Sequence, residues 1–486
     1  MKTERRRHSS VCGYLTVYLA LSLGVLLPLY FALMQGAREN AVRFRTVCAA
    51  DIAGTSALGE YHRELQRQYD LFFIDTSYGT GAPALENTAR HLKDYMNRNY
   101  EMTGLIGVTK RRDFTAITAD TPAVLQARYI TDSDFRPVRQ QIYAYMAADP
   151  VEDVIAGALA DIDQFQGFSL ESGEWQSRRD ESERALEEAR RGQAELRDEN
   201  GEEVPIENPG DAVIGFRGTP ILNQVITNLD MVSQESIDLS QVFSYRGAAF
   251  SGSWEPENTH DYPEADALTA DEYILEKCGN YRETMKKSKL KYQVEYILAG
   301  KAEDEQNLEA IARRLIIIRE AANCMYLFSD EGKVQEARIL SLALACCLLN
   351  PELEQVITPV VLFAWAYLES VQDVKSLMAG GRVPLLKDAS SWKIPLLSIL
   401  VPTIATRADS GGSGLGYQDY LRIFLFLEGR DVKTRRLLDI METDIRKTAG
   451  NRLFMIDGCI DAFTMQADVR DTSGYTYTVE EEFGYN

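Results

Sequence analysis

The sequence predicts an α+β protein: an N-terminal transmembrane helix that continues into a long helix, then a mostly helical extracytoplasmic head with antiparallel strands. Three observations predict it. The stretch "YLTVYLALSLGVLLPLYFALM", Tyr14–Met34, carries no charge and is close to the ~20 residues a helix needs to cross a bilayer. Leu308, Ile311, Leu315, Ile318, Ala322 and Met325 step by three and four residues, the period of an amphipathic helix. Near the C-terminus, "CIDAFTMQADV" and "YTYTV" alternate around "RDTSG", whose turn residues make them a hairpin. Helices packed with antiparallel strands give the α+β class.

Taken in order, residues 1–12 form a short tail and 13–35 the membrane helix. No charged residue stands between His8 and Arg38. The core is longer than the roughly 7–15 residues of a secretory signal, and "LMQGAREN" lacks a small-x-small cleavage site. An uncleaved anchor is expected. Arg5, Arg6 and Arg7 precede the run, and Arg38, Arg43 and Arg45 follow it. The slight bias and the short tail place the N-terminus in the cytoplasm and the head outside. "VITPVVLFAWAYL" and "ILSLALACCLL" are too short to span and read as buried helices of the head.

Residues 36–75 read as a long amphipathic helix, with Ala41, Phe44, Cys48, Ile52, Thr55, Leu65, Tyr69 and Phe72 as its apolar pattern. Gly54 and Gly59 are expected to bend or break it. It ends at "FFIDTSYGTGAP", where glycine and proline stop any helix. Residues 76–170 form a small mixed region: "ALENTARHLKDYMNRNY" is helical, and "FTAIT" and "VLQARYI" are extended. Residues 171–211 are highly charged with little apolar periodicity, the signature of a solvated helix or a disordered insertion. Residues 212–486 are the main α+β head. There "LKYQVEYIL" alternates like a half-buried strand, and helices centre near 342, 362, 423 and 439.

A chain of 486 residues is long enough for two or three domains. Its net charge of −21 repels nucleic acid and anionic headgroups. The seven cysteines show no zinc-type spacing, and Cys324, Cys346 and Cys347 read as small buried apolar residues. The four histidines, His8, His62, His91 and His260, form no HExxH pair; His62 reads as an exposed helix residue. "GGSGLGY" lacks the lysine of a P-loop and reads as a connection between helices. "IDTSYG" reads as an ordinary turn, and no G-x-S-x-G occurs. No catalytic, metal-binding or cofactor-binding residue, no cofactor and no small-molecule substrate emerges, and an enzyme is not expected. Tyr61, Tyr69, Phe72 and Phe73 either bind a partner subunit or tuck the long helix into its own head.

Gly13, Val17, Ala20, Leu21 and Pro28 resemble the G-x-x-x-V-E-F-A-L run and proline-containing apolar stretch of small proteins in tight-adherence (Tad) pilus systems. Tyr18 stands where those proteins carry glutamate, which removes the buried carboxylate that pairs with a neighbouring subunit's N-terminal amine. "TVYLALSL", "CAADIAGTSALGEYHRELQRQYDLFFIDTSYG", "EYILAGKAEDEQNLEAIARRLIIIREAANCMYL" and "GYQDYLRIFLFL" are similar to an uncharacterised family of single-pass membrane proteins from Gram-positive bacteria, found beside Tad pilus genes. The resemblance implies a pseudopilin-like or accessory role, with the membrane and pilus-assembly or pseudopilin-like subunits as partners. The small residues Ala20, Ser22 and Gly24 suit close helix packing in a membrane. The alternative is a membrane-tethered binding module for a cell-wall glycan or a small ligand.

Overall fold

The N-terminal apolar run and the residues after it form one helix, α1 (Val11–Leu58). In this computed structural model residues 11–100, 117–120, 122–148, 152–193, 211–252, 254–257, 267–347, 350–402 and 412–485 are described. Arg5, Arg6 and Arg7 lie outside them, as do residues 194–210 of the charged stretch and the first three residues of "FTAIT". From Tyr14 onward α1 is long and apolar enough to cross a membrane, with a mean hydropathy of 2.1 in a window that the head leaves uncovered.

The helix expected over 36–75 is two helices. The chain turns at Gly59, whose N–H donates to the Thr55 carbonyl at 3.1 Å. It restarts as α2 (Arg63–Tyr69), capped by His62, whose Nδ1 accepts the Leu65 N–H at 3.2 Å. His62 is thus a half-buried cap and not an exposed helix residue. α1 passes Gly54 unbroken, and the Phe483 ring occupies the space that a side chain there would take. Then follow β1 (Ile74–Asp75), α3 (Leu85–Tyr100), β2 (Thr118–Ala119), β3 (Ala123–Tyr129), α4 (Asp132–Met146) and α5 (Glu152–Gln193). After β1, "IDTSYG" closes a turn in which the Asp75 carboxylate accepts the Ser77 N–H and hydroxyl, both at 2.8 Å.

The charged stretch is helical as far as Gln193, the end of α5, and it is only partly solvated. Leu186 is buried, and the Trp175 ring packs on Phe328 with centroids 5.1 Å apart. The body continues with α6 (Asp211–Arg217), α7 (Ile221–Val225), α8 (Phe243–Arg246), α9 (Ala267–Lys277), α10 (Gln293–Ala299), α11 (Asp304–Ser329), α12 (Glu331–Cys347), α13 (Glu354–Met378), α14 (Tyr417–Leu427) and α15 (Arg430–Arg446). The last four are the helices expected near 342, 362, 423 and 439. The strand expected at "LKYQVEYIL" is instead helix α10. Its alternation misleads because every residue from Tyr292 to Leu298 is buried, so the polar positions do not mark a solvent face. Cys324 is buried as expected, but Cys346 is exposed.

The chain closes with β4 (Cys459–Arg470) and β5 (Thr476–Gly484), the expected hairpin. β4 is the spine of an antiparallel sheet. Ile460 faces both Ile74 and Tyr129, so β1 and β3 lie on opposite edges of β4. β2 extends the β3 edge and β5 the β1 edge. Arg128 of β3 grips Asp461 of β4 through two buried bonds of 2.8 and 2.6 Å. One apolar core lies between this sheet, α1 and α3. A larger one fills the helical body.

That body holds a closed charge network. Arg319 of α11 meets Asp373 of α13 at 2.9 Å, and Lys387 meets Glu369 at 2.5 Å and Asp373 at 2.7 Å, with all four side chains fully buried. Arg319 also donates to the Pro384 and Leu385 carbonyls, and Glu369 accepts the Lys393 and Ile394 N–H groups. The segment after α13 is thereby pinned onto the α11–α13 pair. Removing one member strands a buried charge, so Arg319→Met is expected to lower the unfolding free energy by about 3–5 kcal/mol, measured by urea denaturation in detergent.

Glu295 of α10 is buried. Its Oε1 accepts the Tyr281 N–H at 2.8 Å and the Tyr417 hydroxyl at 2.7 Å, while Oε2 has no partner. Burial pushes its carboxyl up to about 7, above the usual ~4.3. The folded state therefore binds this proton more tightly than the unfolded one. The resulting stability is present at acidic pH and is lost as pH rises towards 7. Glu295→Gln should flatten the fall in urea midpoint between about pH 5 and pH 7; an unchanged slope would remove Glu295 from the account.

Candidate functional site

α1 has two apolar faces, and the head takes only one. Val42, Thr46, Ala49, Ala50, Ala53 and Ala57 are buried. They lie against Leu92 and Met96 of α3 and Phe463, Met465 and Val479 of the hairpin. Most of these α1 side chains are small, so the helix axis can come close to the sheet. The pattern read as the packing face behaves otherwise. Within α1, Phe44 is 72% exposed and Ile52 48%, Thr55 is exposed and Cys48 half-buried; Val47, which that pattern did not include, is 38% exposed. The reason is steric: a helix seated this close to a sheet accommodates alanine and turns phenylalanine outward.

The β4–β5 turn clamps α1 just beyond the apolar run. Arg38 Nε lies 3.0 Å from the Asp471 carboxylate, and Arg38 Nη2 donates to Thr472 Oγ1 at 2.7 Å. Arg43 Nε donates to the Tyr475 hydroxyl at 2.6 Å, and its guanidinium lies over the Tyr475 and Tyr477 rings. Arg45 Nη2 donates to the Tyr100 carbonyl at 3.1 Å. Asp471 also accepts the Ser473 N–H and hydroxyl and the Tyr475 N–H, so one carboxylate both builds the turn and holds the helix. The sequence marks these arginines only as flanking charge.

Gly13 lies in the first turns of α1. Val17, Tyr18 and Ala20 are exposed, nothing lies within 4 Å of a Cβ built on Gly24, and Pro28 sits inside the helix. At ~3.6 residues per turn, eighteen residues make about five turns. Ala20, Gly24 and Pro28 therefore share a direction with Arg38, Val42 and Thr46, beneath the head. Leu26, Leu29 and Met34 share theirs with Phe44, Val47 and Ile52, away from it. Phe44, Val47 and Ile52 thus continue the outer side of the apolar run, sharing it with the exposed Asn40, Asp51 and Thr55.

The four aromatic candidates divide. Tyr69 and Phe73 are buried in the helical body. The Tyr69 hydroxyl donates to Asp444 Oδ2 at 2.9 Å, and burial drives that hydroxyl's pKa well above its usual value. Phe72 packs edge-on to Tyr61 at 5.2 Å and beside Tyr485 at 5.9 Å, and its N–H donates to Gln141 Oε1. All four therefore make head contacts. Among the described residues, no group of three or more His, Cys, Asp or Glu side chains is placed to hold a metal ion.

Asp471→Ala removes both halves of the clamp. Amide exchange over Val42–Val47 should quicken by about 5–30-fold, the ratio that ~1–2 kcal/mol of lost local stability gives, while exchange in α13 stays unchanged.

No curated protein and no solved structure matches the chain. A family model does, over residues 199–471, from before α6 to the clamp residue Asp471 and without α1. The chain belongs to that family, DUF5702, a family of unknown function.

Proposed function

We propose that this protein is a membrane-anchored extracytoplasmic assembly protein, a pseudopilin-like or accessory component of a Tad-type pilus system. One observation carries the reading: α1 runs unbroken from the apolar span into the head and leaves Phe44, Val47 and Ile52 exposed on the side away from it. An anchor alone needs no Phe44, Val47 and Ile52 exposed on one side of its continuation. Scattered single apolar residues are ordinary on a surface, but an aligned set at the end of an apolar helix suits lateral packing. The clamp makes helix and head one rigid piece, so packing of helices would also orient heads. Gly24 and Ala20 allow a second helix to approach closely beneath the head. Tyr18 favours the accessory role, because the carboxylate that would meet a neighbour's N-terminal amine is missing. In this reading the N-terminus lies in the cytoplasm and the head outside.

Two measurements test it. Phe44→Cys, cross-linked in membranes of the native host, should give a discrete adduct that Val47→Asp, on the same side of α1, weakens; monomer only, with cysteine at Phe44, Val47 or Ile52 alike, would count against assembly. The mass of the mature N-terminal peptide divides the roles. A start at Tyr14 places the protein with processed pilin-like subunits, and an intact N-terminus makes it an accessory scaffold. A start beyond Met34 removes the anchor and the proposal with it.

A further inference from the structure

The C-terminal hairpin stands upright beside α1. β5 leaves its turn next to Arg43, whose guanidinium lies over the Tyr475 and Tyr477 rings. It passes Gly54, where the Phe483 ring packs, and leads to Tyr485, whose hydroxyl donates to the Leu58 carbonyl. Strand and helix therefore run in the same direction. The β4–β5 turn is the end of the hairpin that points toward the apolar run.

The rise of the helix sets the level of that turn. At ~1.5 Å per residue, Tyr14–Met34 is about 31 Å long. It fills the ~30 Å hydrocarbon core of a bilayer from one face to the other. Outside that core a polar headgroup layer about 5–7 Å deep lies on each side. Arg38 stands four residues beyond Met34, about 6 Å further along the axis. Helical side chains lean toward the N-terminus of their helix, so Arg38 reaches back toward the run where it meets Asp471 and Thr472. With the run in hydrocarbon, the tip of the turn falls at the depth of the headgroups.

The turn has the chemistry of that layer. A chain of net charge −21 is a poor match for anionic headgroups. Yet residues 470–477, "RDTSGYTY", hold a single carboxylate. That group, Asp471, has a fully buried side chain paired with Arg38, and it accepts from Ser473 and Tyr475. The exposed residues of the turn are Arg470, Thr472, Ser473 and Gly474, with Arg43 exposed beside them and Tyr475 and Tyr477 half-buried. Guanidinium groups match phosphate oxygens, and tyrosine is enriched where bilayer meets water.

We propose that the β4–β5 turn rests in the lipid headgroup layer of the membrane that α1 crosses. The inference rests on the anchor part of the reading above and on no partner subunit. Helix and turn then touch the bilayer at two points, and the head is held at one level and one rotation about α1.

The test is photo-cross-linking of the full chain in vesicles of phosphatidylethanolamine and phosphatidylglycerol. p-Benzoylphenylalanine is incorporated in place of Leu26, Thr472, Ser473 or Glu482, one at a time. Leu26 reports insertion of the run. Thr472 and Ser473 report the turn, and the Arg38–Asp471 pair needs neither side chain. Glu482 is exposed on β5, next to the Phe483 that packs on Gly54, a level about 24 Å beyond Arg38. The same bulky probe at turn and strand cancels its own affinity for lipid. Mass spectrometry should find phospholipid adducts at Leu26, Thr472 and Ser473 and none at Glu482. Adducts at Leu26 with none at either turn position would overturn the proposal and leave the anchor standing. Equal adducts at the turn and at Glu482 would overturn it as well. No adduct at Leu26 would remove the anchor and the proposal together.

Discussion

The seating of α1 on the sheet, through Val42, Thr46, Ala49, Ala50, Ala53 and Ala57, sets how near the helix lies to β4 and β5, and much of the architecture follows from that distance. Close approach admits only small side chains. It forces the large ones, Phe44 and Ile52, to the far side. It also brings the β4–β5 turn within reach of Arg38 and Arg43, so the end of the chain closes on its beginning. β4 is then flanked by β1 and β3 from the N-terminal part and by β5. The smaller core needs the C-terminal hairpin, because that hairpin is part of the surface on which α1 rests.

The helical body obeys a different constraint. Several carboxylates of this acidic chain are interior members of the fold. Asp444 accepts from the Lys289 N–H, the Tyr69 hydroxyl and the Gln293 amide at 2.6, 2.9 and 2.7 Å, which ties the N-terminal arm to α15. Asp373 and Glu369 are matched by Arg319 and Lys387. Buried charge is tolerable only when paired and hydrogen-bonded. These networks therefore fix which loop lies on which helix pair more than they add net stability. The charge of −21 is in part the requirement of such contacts and not solely a solvated coat.

Together the two constraints give an arm seated on the sheet and a helical body with a cleft beside α11. The arm exposes Phe44, Val47 and Ile52, and the cleft holds Arg217 over Tyr367 on a fixed floor. Both surfaces are set by buried partners, Asp471 for the arm and Gln224 with Tyr367 for the cleft, so each can be altered without dismantling the other.

The sequence by itself determined what depends on local pattern. The uncharged run from Tyr14 to Met34, the period from Leu308 to Met325 and the turn chemistry of "RDTSG" each encode an element that forms wherever it is placed, and α1, α11 and the β4–β5 hairpin follow them. Tertiary structure decided what depends on neighbours. The segment of α10 is buried on all sides, which erased the meaning of its alternation. The packing face of α1 is the alanine-rich face because β4, β5 and α3 cover it. Arg38 and Arg217 found partners 433 and 103 residues away, Asp471 and Glu320, and no spacing rule reaches across such separations. Periodicity reports the shape of one element; which of its faces is used depends on the surface brought against it.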